Sequence, residues 1–360
     1  MRKFTIRTGL AIVFLAHIAT VSAAEPPIVT PEGPVWDAGS GFSFSTNSND
    51  SRRSLSGIAC PQESVSPHRC VAVFDEGVEA RYVVLNSGKL APESDPILLL
   101  AGGKELDAEG AARDGSFIYI VGSHSVKRNN CQDNPDGRHV LRFQVDPATG
   151  LTQRKPSGVP SELVDDGGRL WQLITEDPEL NKFAGGCLGT KAPSKAPTLV
   201  GKHGVNIEGV AARNGFLYFG FREPALNGST PILRVAADPL FAGGPQESEL
   251  LTFAVGPGRG IRDLLAVTEG MLLLIGPDDD SSTSVGWSVA FWDGSGARNV
   301  VVTPRTLAHL VLPSVRSKSC DKEAKLEALT MLEDGTEFRR LLILSDGMCD
   351  GGAVVYQVPK

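Results

Sequence analysis

The chain has 360 residues, with 35 Lys and Arg against 42 Asp and Glu for a formal net charge of -7, and 41% of its residues are hydrophobic. That apolar share excludes a wholly disordered chain, and the acidic balance argues against nucleic-acid binding, which needs clustered Lys and Arg. The 40 Gly and 24 Pro suit a turn-rich all-β protein better than a helical bundle.

Residues 1–24 read as a secretory signal peptide. Arg2, Lys3 and Arg7 form a basic start, an apolar run spans Gly9 to Val21, and Ser22-Ala23-Ala24 offers small residues for cleavage. An uncleaved anchor is the competing reading, but the run is short of the ~20 residues that cross a bilayer. Removing the peptide takes away three positive charges and leaves 32 basic residues against 42 acidic ones, net -10. The expectation is an exported protein, periplasmic or extracellular, with no membrane span after signal removal. Residues 25–52 then form an extended N-terminal segment ahead of the main domain, 53–360.

Six cysteines follow: Cys60, Cys70, Cys131, Cys187, Cys320 and Cys349. An even number in an oxidising compartment points to three disulfides, although spacing leaves 15 connectivities open. Proximity along the chain favours Cys60–Cys70, Cys131–Cys187 and Cys320–Cys349. No two cysteines stand at C-x2-C spacing, which argues against zinc.

A repeated unit runs through the main domain. Glu109-Gly-Ala-Ala-Arg-Asp-Gly-Ser-Phe-Ile-Tyr119 reappears as Glu208-Gly-Val-Ala-Ala-Arg-Asn-Gly-Phe-Leu-Tyr218. Further copies begin at Asp263 and Glu327, and a fainter one covers Ser56 to Leu85. Each reads as an acid, a short apolar strand, a turn with Gly, and a second apolar strand. Asp114-Gly115, Asn214-Gly215 and Asp334-Gly335 are hairpin turns, since Gly and Asn tolerate the positive φ that such turns demand. Leu141-Arg-Phe143 and Leu233-Arg-Val235 supply a third strand. The acids are spaced by 99, 55 and 64 residues. The long first interval holds a degenerate unit or an insertion, and residues 157–200 favour an insertion with a short helix around Leu170 and Trp171.

Antiparallel units repeating at about 50 residues predict a β-propeller, because a single small sheet cannot bury both its faces and stacked blades can. Length divided by period gives five to six blades. A β-sandwich or two unrelated β domains would share the strand pattern and are the alternatives.

In a propeller the first strand of each blade lines the central channel, so Glu109, Glu208, Asp263 and Glu327 are expected to ring its mouth. Carboxylates brought together repel, and three remedies exist: a bound hard cation, neighbouring Arg and Lys, or raised pKa values. The cation would be Ca2+, whose oxygen ligands these four acids would provide, with Asp278-Asp279-Asp280 nearby. Arg222, Arg262, Lys127, Arg128 and Lys325 recur near the same strand ends and would either neutralise the ring or hold a small anionic ligand. On the catalytic reading Glu208 is a base and His124 a general acid in a calcium-assisted phosphoester or ester hydrolase. On the competing reading the protein is a non-catalytic binding or scaffold propeller of the cell envelope. No G-x-S-x-G, G-x-x-x-x-G-K-[ST] or G-x-G-x-x-G motif stands at a strand-to-helix junction.

Asp107-Ala-Glu-Gly-Ala111 with Val121-Gly-Ser-His-Ser125, Asn206-Ile-Glu-Gly-Val210 with Gly220-Phe-Arg-Glu-Pro224, Gly260-Ile-Arg-Asp-Leu264 and Lys325-Leu-Glu-Ala-Leu329 resemble segments of a bacterial family catalogued as domain of unknown function thirty-six sixteen. The resemblance covers about residues 53–358 and implies a propeller-like fold without an activity. Glu208-Gly followed by Leu217-Tyr-Phe is similar, more distantly, to the calcium-dependent propeller phytases and the esterase-like proteins grouped with them, in which the matching Glu faces a calcium-lined channel. The chain departs from phytases after that strand, with Phe221-Arg222-Glu223-Pro224 in place of an acidic run.

Overall fold

Five antiparallel sheets follow one another along the chain in the computed structural model, which describes residue 1 and residues 25–44, 48–61, 67–128, 130–189, 197–199, 201–279, 283–315 and 320–360. The expected signal peptide and Asp280 lie outside the described residues. Blade 1 comprises Leu55–Ala59, His68–Phe74, Glu79–Asn86 and Lys89–Leu98. Blade 2 comprises Ala108–Asp114, Phe117–Gly122, Val140–Gln144 and the short Val164–Asp165. Blade 3 runs through Asn206–Arg213, Phe216–Glu223, Ser229–Ala236 and Ser248–Ala254, and blade 4 through Arg259–Val267, Gly270–Pro277, Trp287–Trp292 and Arg305–Leu310. Blade 5 has three strands, Lys325–Asp334, Phe338–Asp346 and Val354–Pro359.

The first strand of each blade packs against the first strand of the next, and that of blade 5 returns to blade 1. The chain is therefore a five-bladed β-propeller, at the lower of the two expected counts. Separate apolar cores fill the spaces between neighbouring blades. Phe253, Ile261, Met271 and Leu273 pack between blades 3 and 4, for example, and Leu55, Phe74, Leu342 and Val355 between blades 5 and 1. Each such side chain contributes about 1.5–3 kcal/mol when removed from water, so closure of the ring is what makes each blade stable.

The outer edges are covered by borrowed backbone. Val301–Val302 leaves blade 4 to pair in parallel with the last strand of blade 3, and Ile28–Val29 pairs in parallel with Arg305–Leu310. The chain then continues past blade 5, where Glu32 and Trp36 donate backbone N–H bonds to Val355 and Ala353. It reaches blade 1, where the Asp37 carbonyl accepts from Leu90 at 3.0 Å. One N-terminal strap thus satisfies edge groups on three consecutive blades, groups that would otherwise invite edge-to-edge pairing.

The long interval between the first two strong repeats holds an insertion. After Val164–Asp165 it forms a helix, Arg169–Glu176, opened by Asp166, whose carboxylate accepts the Leu170 and Gly168 N–H groups at 2.8 and 3.2 Å. Leu170 and Ile174 bury the inner face of this helix against blades 2 and 3. The disulfides are Cys60–Cys70, Cys131–Cys187 and Cys320–Cys349, the pairs that proximity favours. Of the expected hairpins, Asn214-Gly215 takes positive φ at both residues, whereas the Asp334-Gly335 connection is wider and the next strand begins only at Phe338. Among the described residues no helix is long and apolar enough to cross a membrane.

Candidate functional site

The first strand of every blade carries one extra residue. Pairing with the second strand slips between Leu55 and Gly57, Ala108 and Gly110, Ile207 and Gly209, Ile261 and Asp263, and Leu326 and Ala328. The bulged residues are therefore Ser56, Glu109, Glu208, Arg262 and Glu327. A bulge re-aims a side chain out of the ladder, and these five occupy equivalent places around the axis. The sequence expectation placed Asp263 in this ring. Its place belongs to Arg262, because the unit that repeats is an apolar residue, the bulged residue, a small residue and a second apolar residue; matching acid to acid shifts blade 4 by one.

The residue after each bulge sets how closely blades approach. A Cβ on Gly57 would lie 2.8 Å from the Ala111 nitrogen, one on Gly110 2.9 Å from the Val210 nitrogen, and one on Gly209 2.9 Å from the Leu264 nitrogen. Only glycine fits at these three seams. Blade 4 has Asp263 at this place, and its carboxylate accepts the N–H groups of Leu264 and of Leu329 on blade 5, each at 2.8 Å. Burial pushes its pKa well up against these two bonds. Asp263 is a fastener between blades 4 and 5 and does not line the channel.

A second tier comes from the ends of the second strands, at the places of Asp75, Ser123, Arg222, Gly276 and Asp346. Charge is distributed unevenly over these two tiers. Glu208 accepts from Asn206 Nδ2 at 2.7 Å and Arg222 Nη1 at 3.1 Å through one oxygen, and its other oxygen lies 3.3 Å from Arg262 Nη2. Arg262, only 2% exposed, also pairs with Glu327. Burial opposes ionisation of Glu208, but Arg262, Arg222 and Arg128 outweigh it and lower its pKa. Glu327 goes the other way. Burial, with Asp346 and Glu208, raises it to about 8 against the pull of Arg262 and Lys325.

Above these tiers opens a cavity of about 420 Å3 lined by Asp75, Glu76, Glu105, Asp107, Glu109, Glu208, Glu327 and Asp346 and by the cations Lys127, Arg128, Arg222 and Lys325. Two cations are committed: Arg222 to Glu208 and the Asp278 carbonyl, and Lys325 to Glu323 at 2.8 Å and Asp346 at 3.4 Å. The wall formed by blades 1 and 2 has no such compensation. Among the described residues Asp75 and Glu109 make no ion pair, and Asp75 Oδ1 is buried without a hydrogen-bond partner. Burial and the neighbouring carboxylates push Asp75 and Glu109 well up; Asp107 is raised too, against a hydrogen bond from Ser123 and the charge of Arg128.

The structure thus brings Glu109, Glu208, Glu327, Lys127, Arg128, Arg222 and Lys325 to one cavity, with Arg262 beneath it. It leaves His124 outside. That side chain is fully buried beside Trp171, its Nδ1 donates to the Gly122 carbonyl at 2.9 Å, and burial lowers its pKa to about 4. A neutral, enclosed imidazole away from the cavity has no proton to give there. Among the described residues no group of three or more His, Cys, Asp and Glu side chains stands close enough to hold a metal ion, and the set Glu109, Glu208, Asp263 and Glu327 does not fit Ca2+: two members are engaged by Arg262 and a third by backbone. Sequence reasoning missed Asp75, Glu76, Glu105, Asp107 and Asp346. The signal for Asp75 and Asp346 was an acid ending the second strand of the unit.

Comparison with solved structures finds chains of low similarity. An exo-β-1,3-galactanase from Phanerochaete chrysosporium is 10% identical with a TM-score of 0.42; the match covers 91% of this chain and 64% of that one, so the chain spans under two thirds of the galactanase. A GH43 endo-arabinanase from Bacillus licheniformis is 10% identical with a TM-score of 0.36, over 90% of this chain and 96% of that one. A DUF4623 family protein from Bacteroides eggerthii is 10% identical with a TM-score of 0.36, over 92% and 77%. No curated protein matches the sequence. The family described as protein of unknown function (DUF3616) matches residues 92–144 and 145–351, and the chain belongs to that family.

Proposed function

We propose that the channel mouth is a binding site for a small cationic ligand, in an exported protein whose three disulfides suit an oxidising compartment. The observation that carries this is the wall of Asp75, Asp107 and Glu109, which gathers carboxylates in a cavity with no cation paired to Asp75 or Glu109 among the described residues. Buried like charges raise one another's pKa until a positive charge relieves them, and a bound ligand would be that charge. Because the carboxylates are spread around about 420 Å3, an organic ammonium or guanidinium fits them better than a bare metal ion, which needs convergent oxygens. Titration calorimetry with agmatine and, separately, with Ca2+ tests this. Agmatine binding that Glu109→Gln weakens supports it; tight Ca2+ binding with no amine binding would restore the calcium reading.

The alternative is hydrolysis of a phosphoester or ester. It draws on the opposite shifts of Glu109 and Glu208, since two carboxyls pushed apart in pKa can divide acid and base roles. Glu208 is engaged through both oxygens, so on this reading Glu109 donates the proton and Glu208 fixes the field around it. Turnover of any ester or phosphoester in a substrate panel, abolished by Glu109→Gln, would favour the enzyme over the binding propeller.

A further inference from the structure

Resting on the cationic reading of the same cavity, we propose that its ligand also carries an anionic oxyacid group, a carboxylate or phosphate, which docks on Arg128 and Lys127. The cavity is bipolar. Its carboxylates come from blades 5, 1, 2 and 3, and Lys127 and Arg128 lie together on the segment that leaves the second strand of blade 2. Both line the cavity, and among the described residues neither makes an ion pair. They differ in this from the other two lining cations, which are held by Glu208 and by Asp346.

The segment that carries them is built to hold a position. Lys127 and Gln132 are bridged by a backbone bond at 2.8 Å, the Lys127 carbonyl accepts the Cys131 N–H at 2.8 Å, and Cys131 is joined to Cys187 of the insertion. Upstream, Ser123 Oγ bonds to Asp107 and accepts the Ser125 N–H at 3.1 Å. The backbone that carries the two cations is therefore tied beside the acidic wall. Arg128 still acts at a distance, pulling down Asp107 and Glu208. The Arg128 guanidinium, which makes no ion pair among the described residues and lines the cavity three residues before the Cys131 staple, matches the bidentate geometry of a carboxylate or phosphate. A ligand holding both charges would satisfy Asp75 and Glu109 at one end and Arg128 at the other.

Matched ligand pairs separate this proposal from the reading beneath it. Agmatine and arginine differ by one carboxylate, and ethanolamine and phosphoethanolamine by one phosphate. Calorimetry on the full mature chain should show the anion-bearing member of at least one pair binding roughly tenfold or more tightly, the worth of a charge-assisted hydrogen bond. Which pair shows the gain identifies the anion. Arg128→Gln should erase the gain, so that the two members of each pair bind alike, and Lys127→Gln should reduce it, so the assignment survives if one variant fails to fold. Binding of the plain amines with no gain from either anion overturns the bipolar assignment alone. No binding of any of the four overturns the cationic reading and this proposal with it.

Discussion

Arg262 and Glu208 hold the same place in the repeat on adjacent blades, and they face each other at 3.3 Å across the base of the channel mouth. A ring of equivalent positions has thus been given one positive member, and that member pairs with the carboxylates on both sides of it, Glu208 and Glu327. The expected remedy of neutralising basic residues is realised within the ring itself.

Removing that cation should be costly. Arg262→Leu leaves two buried carboxylates facing each other, and breaking a buried pair by deleting one partner costs about 3–5 kcal/mol. Adding Glu327→Gln should return part of the loss above about pH 8, where Glu327 would otherwise be ionised beside Glu208. Urea denaturation of the two variants checks this; an Arg262→Leu protein as stable as wild type would mean the three groups do not hold the mouth together.

The architecture was legible in the sequence because the blade signal is carried by many residues at once: apolar strands, Gly turns and the Leu-Arg-Phe143 type of third strand all recur. The ring was legible in part. Glu109, Glu208 and Glu327 stand where the acid pattern put them, but at blade 4 the bulge falls on Arg262, and a reading that tracked charge could not see that strand geometry tracks the apolar and small residues on either side. Asp75 and Asp346 escaped because they sit at second-strand ends, where repeat alignment by the first strand gives no weight. His124 misled for another reason: it stands just past a strand end of the repeat, where a general acid was expected, and packing by the insertion helix buries it beside Trp171.

Asp263 should prove a structural residue. Asp263→Ala strands the Leu329 and Leu264 N–H groups between blades and should cost about 1–3 kcal/mol. Asp263→Asn keeps a carbonyl acceptor and should cost distinctly less. Neither variant should change ligand affinity in the cavity, which calorimetry at matched folded fraction would report.

The seam glycines admit a sharper test. A Cβ on Gly209 would sit 2.7 Å from the Asp263 Cα and 2.9 Å from the Leu264 nitrogen, both backbone atoms that no rotamer change can move. Gly209→Ala should therefore cost at least ~2 kcal/mol by overpacking. Gly115→Ala, at a hairpin with nothing within 4 Å, should cost less because only the positive φ of 56° is strained. Equal thermal shifts for the two would sink the idea that blade spacing is set by these seams.

Stability should fall as pH rises through neutrality. Glu223 is 4% exposed with Oε2 unpartnered among the described residues, and burial raises its pKa from 4.5 to about 8 against the opposing charges of Arg222 and Arg128. Glu327 is likewise raised to about 8. A carboxyl with a raised folded pKa binds its proton more tightly when folded, so its contribution is full below about 4.5 and is lost between there and about 8. His124, lowered to about 4, opposes this only between about 4 and 6.5, where the unfolded chain takes up the proton. Glu223→Gln should accordingly flatten the decline between pH 6.5 and 8. At pH 8 the variant should be more stable than wild type by an amount on the order of a few kcal/mol. Denaturation midpoints across that range decide it, and an unchanged slope would place the ionised form of Glu223 in the fold.

The Cys131–Cys187 staple couples stability to the mouth. It closes a separation of 56 residues, for which the chain-entropy account gives roughly 4 kcal/mol, so replacing both cysteines by Ser should lower the urea midpoint clearly. The same change frees the turn that carries Lys127 and Arg128, while Asp75 and Glu109 keep their positions on blades 1 and 2. Arginine affinity should then drop more than agmatine affinity, because only the anion-bearing ligand depends on the loosened cations. Equal losses for the two ligands would show that the staple supports the fold without organising the rim.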